Sequence, residues 1–132
     1  MLAGLQLLRS FVGAEGLRVY NALMTPLRYK LVVYVPVESA DAVRQAIGEA
    51  GGGKSGKYSF CSFSTRGMGR FKPEEGAHPA IGKIGELTSV DEERIEVTLD
   101  KDIVGNVLAA IKRAHPYEEA AYDLYPLETR GR

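Results

Sequence analysis

His115, Tyr117, Glu118, Glu119 and Asp123 crowd one short stretch near the end of the chain. Imidazole and carboxylate are ligands for a divalent metal and are also the groups of general acid–base chemistry. The spacing weakens both readings, because adjacent Glu118 and Glu119 in an extended chain point to opposite sides and at most one joins His115. A structural role is simpler. His115 precedes Pro116, which pushes it out of the α region and ends a helix, and the carboxylates then bond backbone donors or basic residues across a subunit contact. His115, Tyr117, Glu118, Glu119 and Tyr122 are therefore interface candidates, with His115, Glu118 and Glu119 as the alternative metal set.

A second cluster precedes it. Between Lys54 and Lys83 there are six basic residues against two acidic ones, followed by acids at 86, 91, 92, 93, 96 and 100. The stretch Arg66–Gly85 is rich in glycine and too long for an ordinary hairpin connection. Its backbone N–H groups could form an anion-binding nest, with Arg66, Arg70 and Lys72 adding charge. Arg66, Gly67, Gly69, Arg70, Phe71, Lys72, Gly76 and Gly82 are the ligand-binding candidates on this reading. The competing reading is an arm packed on a neighbouring subunit through Met68, Phe71 and Ile81.

Gly48-Glu49-Ala50-Gly51-Gly52-Gly53-Lys54-Ser55 has the spacing of a Walker A string. That loop needs a strand before it and a helix after it, so that N–H groups and the positive helix end converge on phosphate. Here the order is reversed, and the glycines read as the end of a helix. Cys61 lies mid-strand with no activating neighbour in sequence and reads as packing.

The elements that must position these groups follow from the apolar pattern. Tyr29–Val35 is β-branched and aromatic and reads as a strand apolar on both faces. Ser39 is a suitable N-cap for a helix through Val43, Ala46, Ile47 and Ala50, stopped by glycines 51 to 53. Tyr58–Thr65 is expected as the second strand and the alternating Arg94–Leu99 as the third. Asp100 or Asp102 can cap a helix with Val104, Val107, Leu108 and Ile111 on one stripe, and Ala120–Leu127 supplies the last strand. The order is β-α-β-β-α-β, an α+β ferredoxin-like sandwich with both helices on one face of an antiparallel sheet. Apolar residues on both faces of strands one and two then call for a second cover, and a copy of the same chain is the simplest supply.

The chain has 132 residues, 45% hydrophobic and 26% charged, which bounds it to one domain. Lys plus Arg equals Asp plus Glu at 17 each, so no global field favours nucleic acid or an acidic membrane. One cysteine cannot form an intrachain disulfide and fits a reducing cytoplasm. The leucines of the first 23 residues are interrupted by Gln6, Arg9, Glu15 and Arg18, which argues against a membrane span and a secretory signal. Residues 1–28 read as an N-terminal extension, helical or upstream of a second start at Met24, with the domain at 29–128 and a tail at 129–132.

The run Lys57–Thr65, the Gly67-x-Gly69-x-Phe71-x-Pro73-x-x-Gly76 loop, Ile81-Gly82, Glu93-Arg94-x-Glu96 and His115-Pro116-Tyr117-Glu118-Glu119-x-Ala121-Tyr122-Asp123 together resemble one known module. It is similar to the insert domain of the Nif-three-like dinuclear-metal proteins, also called GTP cyclohydrolase I type 2 homologues. The resemblance covers about Tyr29 to Leu127 and implies a fold like the PII signalling proteins and CutA, assembled as a trimer through its sheets. In the full-length proteins the metal ions belong to the flanking domains, whose histidine-rich motifs are absent here, so neither that centre nor the associated hydrolase activity carries over. The expectation is a homo-oligomeric, non-enzymatic binding or regulatory module without a cofactor, recognising an anionic metabolite or a partner protein. A CutA-like divalent-metal-binding protein is the alternative, and a hydrolase acting in subunit clefts the third reading.

Overall fold

The structure, a computed structural model, describes residues 13–20, 22–23 and 27–128. The expectations for Met24-Thr25-Pro26, for the first 12 residues and for the 129–132 tail lie outside the described residues. Residues 13–20 and 22–23 are helical, and Leu17 among them is buried.

Strand β1, Arg28–Pro36, is the centre of the sheet because its β-branched residues serve two faces at once. Leu31, Val33 and Val35 point to the helix side. Across the antiparallel ladder Leu31 meets Val97 and Val33 meets Ile95 of strand β3, Thr88–Asp100. Helix α1, Ala40–Glu49, lays Val43 and Ile47 on these residues, and helix α2, Val104–Ala114, adds Val107 and Ile111. Each of these side chains is essentially excluded from solvent, so each contributes on the order of 1.5–3 kcal/mol of apolar burial. Strand β2, Phe63–Phe71, and strand β4, Tyr122–Pro126, complete an antiparallel sheet ordered β2-β3-β1-β4. This is the expected ferredoxin-like α+β arrangement, with both helices on one face.

Three local expectations are corrected. Neither Ser39 nor Asp100 or Asp102 caps a helix through its side chain; both helices begin with a 3-10 turn, Val37–Ser39 and Lys101–Ile103, whose tighter bonds satisfy the first donors. Asp100 pairs instead with Arg28. The second strand is not Tyr58–Thr65 but Phe63–Phe71, so Arg66–Phe71 is ladder rather than loop. It is displaced because Phe60 adopts φ +57 and Cys61 bonds back to Gly53, which turns the chain before the sheet. Correspondingly, β3 starts six residues before the expected Arg94 to meet the longer β2.

The Walker-like string is a helix end, as its order requires. Gly51 has φ +99, its N–H reaches the Gly48 carbonyl and the Gly52 N–H the Ile47 carbonyl, which is the Schellman pair of bonds. Gly48 has no Cβ because the Phe60 ring stands 2.0 Å from where one would be.

Candidate functional site

The face of the sheet opposite helices α1 and α2 holds a cleft of about 760 Å³. Its floor is β2 and β3. Gly67, Gly69 and Phe71 share this face with Glu92 and Arg94, since Gly67 is registered with Glu92 and Thr65 with Arg94. Phe71 and Tyr117 form one wall with ring centroids 5.9 Å apart, and Pro79, Ala80 and Ile81 from the loop 72–87 form another.

The two glycines of the floor work differently. A Cβ on Gly69 would sit 1.7 Å from Oε1 of Glu92, so that carboxylate lies over the glycine. A Cβ on Gly67 would meet nothing within 4 Å, because it would project into the cleft. Burial pushes the Glu92 carboxyl up, opposed in part by the nearby His115 and by the Tyr117 hydroxyl beside it. Burial, and then the Glu92 carboxylate, raise the Tyr117 phenol to about 12. The Tyr117 hydroxyl is sealed from solvent, close to Glu92 but outside good hydrogen-bond geometry. Arg94 lies over the Tyr34 ring at 5.8 Å, donates to the Tyr34 hydroxyl at 3.3 Å and stands 3.7 Å from Glu96.

His115 is held behind this site. Its Nδ1 accepts from the Tyr117 N–H at 3.1 Å, which assigns the ring proton to Nε2, and Nε2 then donates to the Tyr34 carbonyl at 2.7 Å. The Tyr34 N–H donates to the Ala121 carbonyl. The helix stop is thereby stitched to the central strand. Both nitrogens are engaged, and no three His, Cys, Asp or Glu side chains are grouped to hold a metal among the described residues. Glu118 Oε1 accepts from the His78 N–H at 2.8 Å and so ties the loop 72–87 to the α2–β4 connection. The loop closes on itself through the Gly85 N–H and the Pro73 carbonyl.

Of the ligand-binding candidates, Arg66, Gly67, Gly69, Arg70, Phe71 and Lys72 border the cleft. Strand alternation separates them: Arg66 and Arg70 are registered with Glu93 and Ser89 on the opposite face to the glycines. Gly76 and Gly82 shape the loop, at φ +92 and +90. Tyr117, Glu118 and Glu119 also border the cleft, whereas Tyr122 is registered with Val33 on the helix side. Tyr34, Glu92 and Arg94 were not singled out by sequence reasoning as site residues. The signal was present in β3, where Glu92, Arg94 and Glu96 recur with period two. With Arg66 and Arg70 on the other face, the bordering basic residues are Lys72 and Arg94 against acidic Glu74, Glu92, Glu118 and Glu119, so the cleft has no net positive charge.

A four-stranded antiparallel sheet ordered β2-β3-β1-β4 with α1 and α2 on one face defines a ferredoxin-like module of CutA-like fold. CutA of Archaeoglobus fulgidus, described as a periplasmic divalent cation tolerance protein, superposes with a TM-score of 0.59 over 79% of this chain and 87% of its own, at 16% identity. More specifically, the chain is a homologue of a segment of the Nif3-like GTP cyclohydrolase 1 type 2 homologues. It is 46% identical to that of Halalkalibacterium halodurans over 95% of this chain and 34% of the relative. To that of Bacillus subtilis it is 52% identical over 78% of this chain and 27% of the relative. A Bacillus cereus protein related to NIF3 matches in structure with a TM-score of 0.69 and 45% identity, over 79% of this chain and 26% of its own. The chain thus spans about a third or less of these relatives. Cover of 95% takes the first of these matches into the residues before Arg28. No family model matches the chain.

Proposed function

We propose that the chain is a non-catalytic binding module that assembles with copies of itself and receives a small ligand in the open-face cleft. The observation that carries this reading is the floor at Gly67. A mid-strand glycine costs stability, and here its missing side chain opens a hollow walled by aromatic and aliphatic groups with a few convergent polar ones, the usual composition of a ligand site. Self-assembly is supported by apolar side chains left uncovered in the single chain, notably Tyr58, Phe60, Phe63 and Tyr125. Phe63 stands at the opposite end of β2 from Phe71, so assembly and ligand binding use different parts of the strand.

The test is a thermal-shift screen of small amphipathic and anionic compounds against wild type and Gly67→Leu. Compounds are expected to stabilise wild type and lose that effect in Gly67→Leu, whose leucine fills the hollow. Hits that stabilise both proteins equally would place binding elsewhere and overturn the reading.

A further inference from the structure

We infer that the ligand is a small zwitterion, with one ammonium and one carboxylate on an apolar body, of the kind represented by an α-amino acid with a bulky side chain. This rests on the cleft being a binding site and deepens that reading. Glu92 and Arg94 stand two residues apart on one face of β3, their Cα atoms about 7 Å from one another. The hollow over Gly67, which no neighbouring atom enters, is flanked by the Glu92 carboxylate over Gly69 on one side and by the Arg94 guanidinium over the Tyr34 ring on the other.

Each charge lacks a full complement of partners. Glu92 makes no ion pair among the described residues, although half-buried. Arg94 has only one long hydrogen bond and one distant carboxylate for a guanidinium with five N–H donors. A purely anionic ligand would satisfy Arg94 and be repelled by Glu92, and a purely cationic one the reverse. A molecule carrying both charges satisfies both. The buried, unpaired Tyr117 hydroxyl lies beside Glu92, on the side where an amino group would enter. Phe71, Pro79, Ala80 and Ile81 offer apolar surface to the body of the ligand, while Lys72, Glu74, Glu118 and Glu119 also border the cleft, Glu118 being already bonded to the His78 N–H.

The experiment is ligand-observed NMR titration of the full chain with the common L-amino acids singly, and with phenylpropionate and phenethylamine, which each keep one charge of phenylalanine. An amino acid with a large apolar side chain is expected to bind, and each single-charge analogue to bind at least about tenfold more weakly. Glu92→Gln is expected to erase the advantage over phenylpropionate, and Arg94→Met that over phenethylamine. Gly67→Leu, or Gly67→Val if the leucine unsettles the fold by circular dichroism, should abolish all binding. A single-charge analogue binding as tightly as the amino acid, in a Gly67-dependent way, would overturn the zwitterion and leave the cleft standing. Silence of every amino acid, with other compounds still binding at Gly67, would do the same. Silence of all compounds would overturn both.

Discussion

At Gly67 and Gly69 the same absent side chain serves two purposes, and substitution separates them. Gly67→Ala adds a methyl to open space, so stability should change by no more than about 0.5 kcal/mol or rise slightly through the stiffer unfolded chain. Gly69→Ala forces the Glu92 carboxylate aside; because that is the far end of a flexible side chain, the cost should stay near about 1 kcal/mol. Urea unfolding of the two variants checks the order. The pH dependence follows from the same neighbourhood. Glu92 is raised in the folded state by burial, so between the ordinary carboxylate range and its raised value the native chain holds the proton more firmly than the unfolded one. Its contribution is present below that window and is lost as pH rises through it. Tyr117 behaves alike from 10.0 to about 12. Glu92→Gln should flatten stability across the acid window, and Tyr117→Phe should remove the last of the tyrosine ionisations in an ultraviolet titration. Loss of an early ionisation instead would contradict the burial of that hydroxyl. From sequence, His115 was legible as a helix stop, because Pro116 dictates it. Its ring partners were not, since the Tyr34 carbonyl lies 81 residues away in the chain.

Strand β2 shows where element-level reading ends. Glycine is a poor strand former, and with Gly67 and Gly69 interrupting it Arg66–Phe71 carries only a weak local signal for the ladder it joins. What recruits it is the matching length of β3 and the turn at Gly53–Cys61, both tertiary facts. By contrast, β1 and both helices were legible within a few residues, since β-branched content and the 3.6-residue stripe act locally. The reversed order around Gly48–Ser55 was legible for the same reason. The loop 72–87 is held over the cleft by few bonds among the described residues, of which the Glu118 to His78 contact reaches farthest along the chain. Glu118→Ala should therefore cost no more than about 1 kcal/mol in global stability. Amide exchange and proteolysis across residues 74–85 should nevertheless rise, by about fivefold for each kcal/mol of tether lost. Unchanged exchange there would mean the loop is held by its own packing.

For the molecule as a whole, helices α1 and α2 cover one face of the sheet and the cleft opens on the other. Phe63 is 67% exposed at the end of β2 opposite Phe71, so Phe63→Asp should reduce the solution mass by sedimentation from an oligomer toward 14.4 kDa while leaving the fold intact. A wild-type mass already at that value would remove the assembly part of the proposal; a trimer is the size expected. No helix among the described residues is long and apolar enough to cross a membrane. The fold class was legible in the whole sequence pattern, whereas the cleft was not, because it joins three segments distant in sequence through register alone. The most direct measurement of the central claim is amide chemical-shift mapping of the full chain with a mixed library of small molecules. The expected result is a set of shifts confined to Gly67, Gly69, Ile81, Glu92, Arg94 and Tyr117; shifts confined to the turn Lys54–Phe60, or none at all, would contradict it.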